Sequence, residues 1–218
     1  MECRSIEKRQ WIVENYDVVP VAHIQLLTGQ TKHSDAGQTI KNDYYIFEVT
    51  GRSNGEKDII QCGMGAARDF LRLLEHDGLP VFNPLHRGIS TETPRKKKAD
   101  TEISDKKAGE KWNPVAEQLY NAIMWIIIII DAKPNTPVYE LREKVFRYKY
   151  KEPFPSQIKA VNTIISRNFP KSTLTQAIND LRKDNDVRDN VCQFDLLVHA
   201  IEKMTDKDGK TLDIRSVY

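Results

Sequence analysis

Residues 114–130 form the most apolar part of the sequence and constrain the fold more than any other segment. They end in AIMWIIIII (residues 122–130), and apolar residues precede that run at helical spacing. A helix that is apolar on nearly every side lies in the centre of a folded protein. The isoleucine run alone also suits a buried strand, because periodicity does not separate the two in so short a window. The run at residues 122–130 is far shorter than the roughly 20 residues that cross a bilayer, so we expect a core segment and no membrane partner.

The composition changes abruptly at residues 91–112, which divide the chain in two. This segment contains almost no apolar residues and carries a basic cluster, PRKKK, at residues 94–98. Because it cannot bury enough apolar surface to offset the entropy of ordering it, we predict a flexible basic linker or loop. The predicted domains are therefore an α+β domain at residues 1–90 and a helical bundle at residues 113–218. The basic cluster also suits salt-dependent contact with a phosphate backbone.

The first half is predicted to contain a small antiparallel β-hairpin with helices around it. Residues 44–50 alternate aromatic or β-branched residues with others, and residues 59–62 return as a partner strand. The pair Asn54–Gly55 between them is typical of a hairpin, here with a loop longer than the minimal two residues. Apolar residues at helical spacing predict helices over residues 6–16 and 66–74.

A Gly-x-Gly loop, Gly63–Gly65, joins the returning strand to the helix that follows. A helix N-terminus presents free N–H groups and a positive dipole end to anions. A dinucleotide-binding fingerprint needs a third spaced glycine, a later acidic residue and further βαβ units, and none of these follows in the sequence. We therefore interpret the loop as a tight structural turn, and we predict no cofactor.

The second half is predicted to be mostly helical. Thr136 and Pro137 supply a cap and a first-turn residue for a helix that is predicted to continue to Pro153. Shorter helices follow over residues 155–167 and 172–183, joined by the turn NFPKS. This pair is a candidate helix-turn-helix, although it lacks the usual turn glycine. The predicted fold class is thus α+β, with a small antiparallel hairpin and helices first and a mostly helical part after them.

Two groups of residues in the second half are candidates for nucleic-acid contacts. The segment KVFRYKYKEPF (residues 144–154) interleaves cations with aromatic rings, the two components of single-strand sites. The alternative is a helix that buries Phe146 and Tyr150 and leaves its lysines in solvent. The second helix of the candidate pair presents polar side chains suited to base edges. The candidates are Arg147, Lys149 and Lys151 for phosphates, Tyr148 for stacking, and Thr175, Gln176, Asn179 and Arg182 for readout.

A different class of function, a metal-dependent nuclease or another enzyme, would be centred on the hairpin. Magnesium needs carboxylates that converge from adjacent strands, and Asp43, Glu48 and Lys57 offer the residue types. Cys62 precedes a helix N-terminus, which favours a thiolate, but no His or acid is tied to it by spacing. A buried cysteine at the end of a strand is the simpler interpretation, so no catalytic residue is predicted.

The histidines offer little for metal binding or catalysis. Zinc would need closely grouped ligands, and Cys62, His76 and His86 are only loosely spaced. His23 has no paired acid that spacing reveals. His199 is expected to pack in the core, because apolar residues surround it on its helix. No metal site is predicted.

The formal net charge is only +2, so global charge indicates neither nucleic acid nor membrane as a partner. Three widely separated cysteines and a charged N-terminus predict a reducing, cytoplasmic setting without a secretory signal.

We predict a non-catalytic nucleic-acid-binding module, with DNA and RNA both open, that acts with a protein partner in a larger intracellular assembly. The alternatives are the enzyme centred on the hairpin and a protein–protein adaptor, which the near-neutral charge favours.

Overall fold

The chain has an α+β fold, as the sequence predicts. The computed structural model describes residues 1–86, 111–133, 136–206 and 208–218. Most of the predicted basic linker, residues 91–110, lies outside the described residues. The division of the chain into two domains stays a prediction.

A three-stranded antiparallel sheet organises the first half. The central strand of this sheet is β4, which pairs with β1 on one side and β5 on the other. A separate two-stranded ribbon joins β2 to β3. The elements in chain order are α1 (Ile6–Asn15), β1 (Tyr16–Gln25), β2 (Lys32–His33), β3 (Thr39–Ile40), β4 (Asp43–Gly51), β5 (Lys57–Gly63) and α2 (Met64–Leu73).

The hairpin predicted around Asn54–Gly55 is confirmed. It connects β4 to β5 through a loop of residues 52–56, and Gly55 has a φ of 67°, in the left-handed region that glycine tolerates best. The side chain of Asn54 accepts a hydrogen bond from the Glu56 backbone N–H at 3.1 Å, which closes the loop locally. The strand then passes directly into α2 at Met64, so Gly63 is the N-cap and Gly65 lies inside the first helical turn.

Helices make up most of the second half. They are α3 (Pro114–Ile129), α4 (Pro137–Arg147), α5 (Pro155–Asn168), α6 (Leu174–Leu181) and α7 (Asp195–Glu202), with a short 3-10 turn at Asp189–Val191. The isoleucine run is part of α3, so the strand alternative is excluded. Asn113 caps α3 by accepting hydrogen bonds from the backbone N–H groups of Val115 and Ala116, and Pro114 occupies the first helical position. No helix of the described residues is long and apolar enough to cross a membrane.

The prediction that α4 continues to Pro153 is wrong, because the helix ends at Arg147. Beyond it the chain turns, and the Lys151 backbone N–H donates to the Tyr148 carbonyl at 2.9 Å. The Lys149 carbonyl accepts a hydrogen bond from the backbone N–H of Asn113, at the start of α3. In a helix continued to Pro153 this carbonyl would have no partner, because proline lacks a backbone N–H group. The tertiary hydrogen bond from Asn113 supplies that partner and favours the turn over a longer helix.

The central helix α3 is buried between the sheet and the other helices. Trp125 is fully buried, stands edge-on to Phe82 at 6.1 Å between ring centroids, and donates from Nε1 to the Val191 carbonyl at 2.9 Å. The hydrophobic cluster around it includes Tyr44 and Ile46 from β4. Both halves of the chain therefore contribute side chains to one core.

The strand β4 is buried on both of its faces. Successive side chains of a strand point to opposite faces, so Tyr44 and Ile46 join the cluster around α3. Tyr45, Phe47 and Val49 instead join a second cluster, formed with α1 and α2. The sheet is thus a middle layer between α1 and α2 on one side and the helices of the second half on the other.

Replacing either of two buried tyrosines with phenylalanine is expected to change the free energy of unfolding, in opposite directions. The Tyr139 hydroxyl is buried without a hydrogen-bond partner, whereas the Tyr218 hydroxyl donates to the Ile158 carbonyl at 2.6 Å. A buried polar group without a partner costs about 1–3 kcal/mol. We therefore expect Tyr139→Phe to raise the free energy of unfolding by about 1 kcal/mol and Tyr218→Phe to lower it by a similar amount. Urea denaturation of both variants measures this, and a loss of stability in Tyr139→Phe would contradict it.

Candidate nucleic-acid interface

The connection between α4 and α5 displays three exposed aromatic side chains within a few residues. Phe154 is 72 % exposed, Tyr148 56 % and Tyr150 41 %. Phe154 is the N-cap of α5 and stands between two prolines, Pro153 and Pro155, which keep it out of either helix. Grouped exposed aromatic residues are unusual on the surface of a folded protein and mark binding surfaces.

Two of these rings flank a cleft of about 390 Å³, here called the aromatic cleft. Tyr148 and Phe154 lie in its lining together with the lysines Lys144 and Lys151, which come from α4 and from the turn that follows it. Its apolar lining residues include Ala116 and Val145. The cleft therefore combines aromatic planes, an apolar floor and cations.

Lys149 takes a structural position beside this cleft. Its ammonium lies over the rings of Trp112, Phe146 and Tyr150, at 5.1–5.4 Å from the ring centroids. The buried Arg142 guanidinium is 4.8 Å from the centroid of the Phe146 ring. Phe146 thus contacts two cations, and Lys149 holds the turn in place through cation–π contacts. Contact between Lys149 and a phosphate would compete with these ring contacts.

Arg147 is exposed and forms an ion pair with Glu143 one helical turn earlier. Exposed pairs of this kind contribute little to stability, so this pair opens at small cost. Arg147 lies on α4 but outside the lining of the aromatic cleft. Of the four candidates in this segment, the structure therefore brings Tyr148 and Lys151 together and leaves Arg147 and Lys149 beside them.

The four candidates on and after α6 do not form one uniform surface. Thr175, Asn179 and Arg182 line a polar cleft of about 300 Å³. Arg182 forms an ion pair with Asp189 at 2.8 Å, and its pKa is raised by hydrogen bonds to Cys192 and Asp189. The Gln176 side chain instead accepts from the Thr173 backbone N–H at 2.8 Å and caps its own helix. The helices α5 and α6 exist as predicted, and their use as a DNA-binding helix-turn-helix stays a prediction.

The hairpin does not bring the two candidate carboxylates together. Asp43 and Glu48 are five positions apart on β4, so they point to opposite faces, about 17 Å from each other along the strand. Glu48 forms an ion pair with Lys57 of β5 at 2.9 Å. Among the described residues, no group of three His, Cys, Asp or Glu side chains is placed to hold a metal ion.

Asp43 has a partner that sequence analysis missed. Its carboxylate is 2.7 Å from Nε2 of His23, whose Nδ1 is 3.1 Å from the Leu79 carbonyl and whose ring stacks on Tyr45. The pair forms across β1 and β4, so its two members are separated in the sequence and only the strand register reveals them. Of these three contacts, those with Asp43 and Tyr45 join β1 to β4 and the one with Leu79 ties the sheet to the segment after α2, which is a structural role.

The environment of Cys62 is unfavourable for a nucleophile. The prediction that it is a buried residue at the end of a strand is confirmed, since it is fully buried near the end of β5. Burial raises its pKa, and burial also raises the pKa of the neighbouring Cys3 thiol to about 11. A raised pKa keeps a thiol protonated at neutral pH, whereas catalytic cysteines need the thiolate.

His199 was expected in the core, and that prediction is wrong because the residue is exposed. On α7 the buried positions are Leu197 and Ile201, and His199 lies between them on the opposite side of the helix. Apolar neighbours along the sequence therefore did not indicate which side of the helix it occupies. His199 lines a cleft between α5 and α7.

The protein thus combines an α+β fold with a surface cleft that is lined by aromatic rings and lysines. A family model described as "Uncharacterised conserved protein UCP028583" matches residues 2–208, and the chain belongs to this family. The matched range contains every helix and strand from α1 to α7, so both halves belong to the family unit. No curated protein and no solved structure matches the chain.

Proposed function

We propose that this protein is a non-catalytic nucleic-acid-binding module and that the aromatic cleft is its principal contact surface. The observation that carries the proposal is the placement of two exposed rings, Tyr148 and Phe154, beside Lys144 and Lys151. Aromatic planes stack on bases and cations neutralise phosphates, and their combination is typical of sites for unpaired bases.

Local charge supports the proposal even though the net charge of the chain is small. The stretch from Lys144 to Lys151 contains four cations and no carboxylate. Binding to a polyanion depends on the charge near the site, and it releases counterions in proportion to the phosphates contacted. We therefore expect affinity that falls steeply with added salt.

The remaining candidates have secondary roles in this proposal. Thr175 and Asn179 are exposed and free to approach a ligand from α6, whereas Arg182 and Gln176 would first give up the contacts they make within the protein. Arg147 needs only to leave Glu143. A protein partner and membership of a larger cytoplasmic assembly are part of the proposal, and the exposed Trp11 on α1 supports a second contact surface.

Replacing both exposed rings tests the proposal directly. We expect Tyr148→Ala/Phe154→Ala to bind a labelled single-stranded oligonucleotide about 10–100-fold more weakly, because stacking contributes about 1–3 kcal/mol per base. Fluorescence anisotropy with DNA and RNA of mixed sequence measures the change. The matched control is Trp11→Ala, which removes an exposed ring of the first half and should leave affinity unchanged. Equal affinity of wild type and the double variant would contradict the assignment of this cleft.

A further inference from the structure

A second cleft adjoins the aromatic cleft and also combines apolar side chains with lysines, without the exposed Tyr and Phe rings of the first. It lies between α5 and α7, with a volume of about 590 Å³, and is here called the α5–α7 cleft. Buried or half-buried apolar residues line it, among them Ile158 and Leu196, and its exposed cations are Lys159 and Lys203. Apolar walls beside cations are again suited to bases with phosphates nearby.

The two clefts share part of their lining. Glu152 and Pro153 line both of them, and the adjacent residues Val115 and Ala116 of α3 contribute one to each. Phe154 follows directly in the sequence and lies in the aromatic cleft, next to this shared wall. It is the most exposed large apolar side chain in the described part of the chain. A ligand that crosses the wall formed by Glu152 and Pro153 would therefore come close to this ring.

In the described part of the chain, the lysines along this path form no ion pairs, whereas some lysines elsewhere on the surface do. Lys57 is bound to Glu48 and Lys183 to Asp180, each at 2.8–2.9 Å. Within the described residues, no carboxylate forms an ion pair with the path lysines, which are Lys144, Lys151, Lys159 and Lys203. Unpaired lysines need not break an existing contact to meet a phosphate. Among the described residues, Glu152, on the shared wall, is the one carboxylate in the lining of either cleft.

We propose, building on the function proposed above, that the ligand is an extended single strand of DNA or RNA that occupies both clefts. The strand crosses beside Phe154, where a base stacks on the exposed ring. Its phosphates meet Lys144 and Lys151 on one side and Lys159 and Lys203 on the other. A duplex does not fit this arrangement, because its bases are already stacked and paired and cannot reach the apolar cleft walls.

Oligonucleotide length tests this inference separately from the proposed function. Single-strand sites cover about 4–16 nucleotides, so we compare strands of about 5 and about 15 nucleotides on the full chain. We expect the longer strand to bind at least about tenfold more tightly, because only it reaches the second pair of lysines. The expectation holds for a DNA strand, an RNA strand or both. A duplex of the longer sequence should bind more weakly than the same sequence as a single strand.

Two variants identify the second cleft as the cause of the length effect. Lys159→Ala/Lys203→Ala should abolish the length advantage and leave the short strand unchanged, whereas Lys144→Ala/Lys151→Ala should weaken both strands. Glu152→Gln should strengthen binding of the long strand, because it removes the one repelling charge on the path. Length-independent affinity, or a full length advantage in Lys159→Ala/Lys203→Ala, would overturn the extended path and leave the aromatic cleft standing. If no strand binds at all, both proposals are wrong.

Discussion

Lys144→Glu/Lys151→Glu is expected to weaken single-strand binding by about 100-fold at low salt, the largest binding effect of any change considered. Each substitution removes a phosphate contact and adds a repelling charge, and two factors of ten correspond to about 2.7 kcal/mol. The slope of log affinity against log salt should also decrease by about 1.4, since each lost contact to a single strand removes about 0.7. A salt titration followed by anisotropy measures both quantities.

The matched control carries the same change in net charge at a distance from the cleft. Lys41 precedes β4 and Lys171 lies between α5 and α6, and both are exposed. Lys41→Glu/Lys171→Glu should therefore leave the slope and most of the affinity intact. Equal losses in the two variants would show that net charge, and not the aromatic cleft, determines binding.

Trp125→Ala is expected to have the largest effect on stability, a loss of about 3–5 kcal/mol in the free energy of unfolding. The substitution removes a fully buried ring from the middle of α3 and leaves the Val191 carbonyl without its donor. Because Phe82 of the first half packs against this ring, the loss should reach the sheet as well as the helices. Urea denaturation followed by far-UV circular dichroism measures the change.

The conservative variant Trp125→Phe serves as the control. It keeps an aromatic ring in the core and loses the hydrogen bond, so a smaller loss of about 1–2 kcal/mol is expected. We predict that the sheet and the helices unfold in a single transition in the wild type, in Trp125→Ala and in Trp125→Phe, since both contribute to one hydrophobic cluster. Two separate transitions, with the one reporting on the sheet unchanged in Trp125→Ala, would show that the halves fold independently.

Local signals in the sequence were enough to predict several elements of the fold. The apolar pattern of residues 114–130 predicts α3, and the Asn54–Gly55 turn predicts the pairing of β4 with β5. Both signals are short in sequence, because helical periodicity and turn chemistry depend on neighbouring residues. The same reasoning identified residues 144–154 as a segment in which cations alternate with aromatic rings.

Contacts between distant residues could not be predicted in this way. The hydrogen bond from Asn113 to the turn after α4 joins residues that are far apart in the sequence, and the hydrogen bond of His23 with Asp43 depends on strand register. Lys144 and Phe154 belonged to the segment singled out from the sequence, but only the structure shows that they line one cleft with Tyr148 and Lys151. Phe154 did carry a local signal, since two flanking prolines exclude it from a helix interior.

The two alternative functions make distinct predictions. A nuclease centred on the hairpin would need Asp43 and Glu48 together, and the structure separates them on opposite faces of β4. Cleavage of a strand that depends on added Mg²⁺ and is lost in Glu48→Gln would favour that enzyme over our proposal. Stable capture of a protein partner with no oligonucleotide binding would favour the adaptor, with Trp11 on its exposed surface.

The central claim is that the aromatic cleft binds nucleic acid, and one measurement tests it most directly. Labelled single strands of DNA and RNA, about 15 nucleotides long, are titrated with the full wild-type chain from low to moderate salt. We predict saturable binding that weakens steeply with salt and is stronger for the single strand than for its duplex. Absence of binding to every strand at low salt would contradict the account.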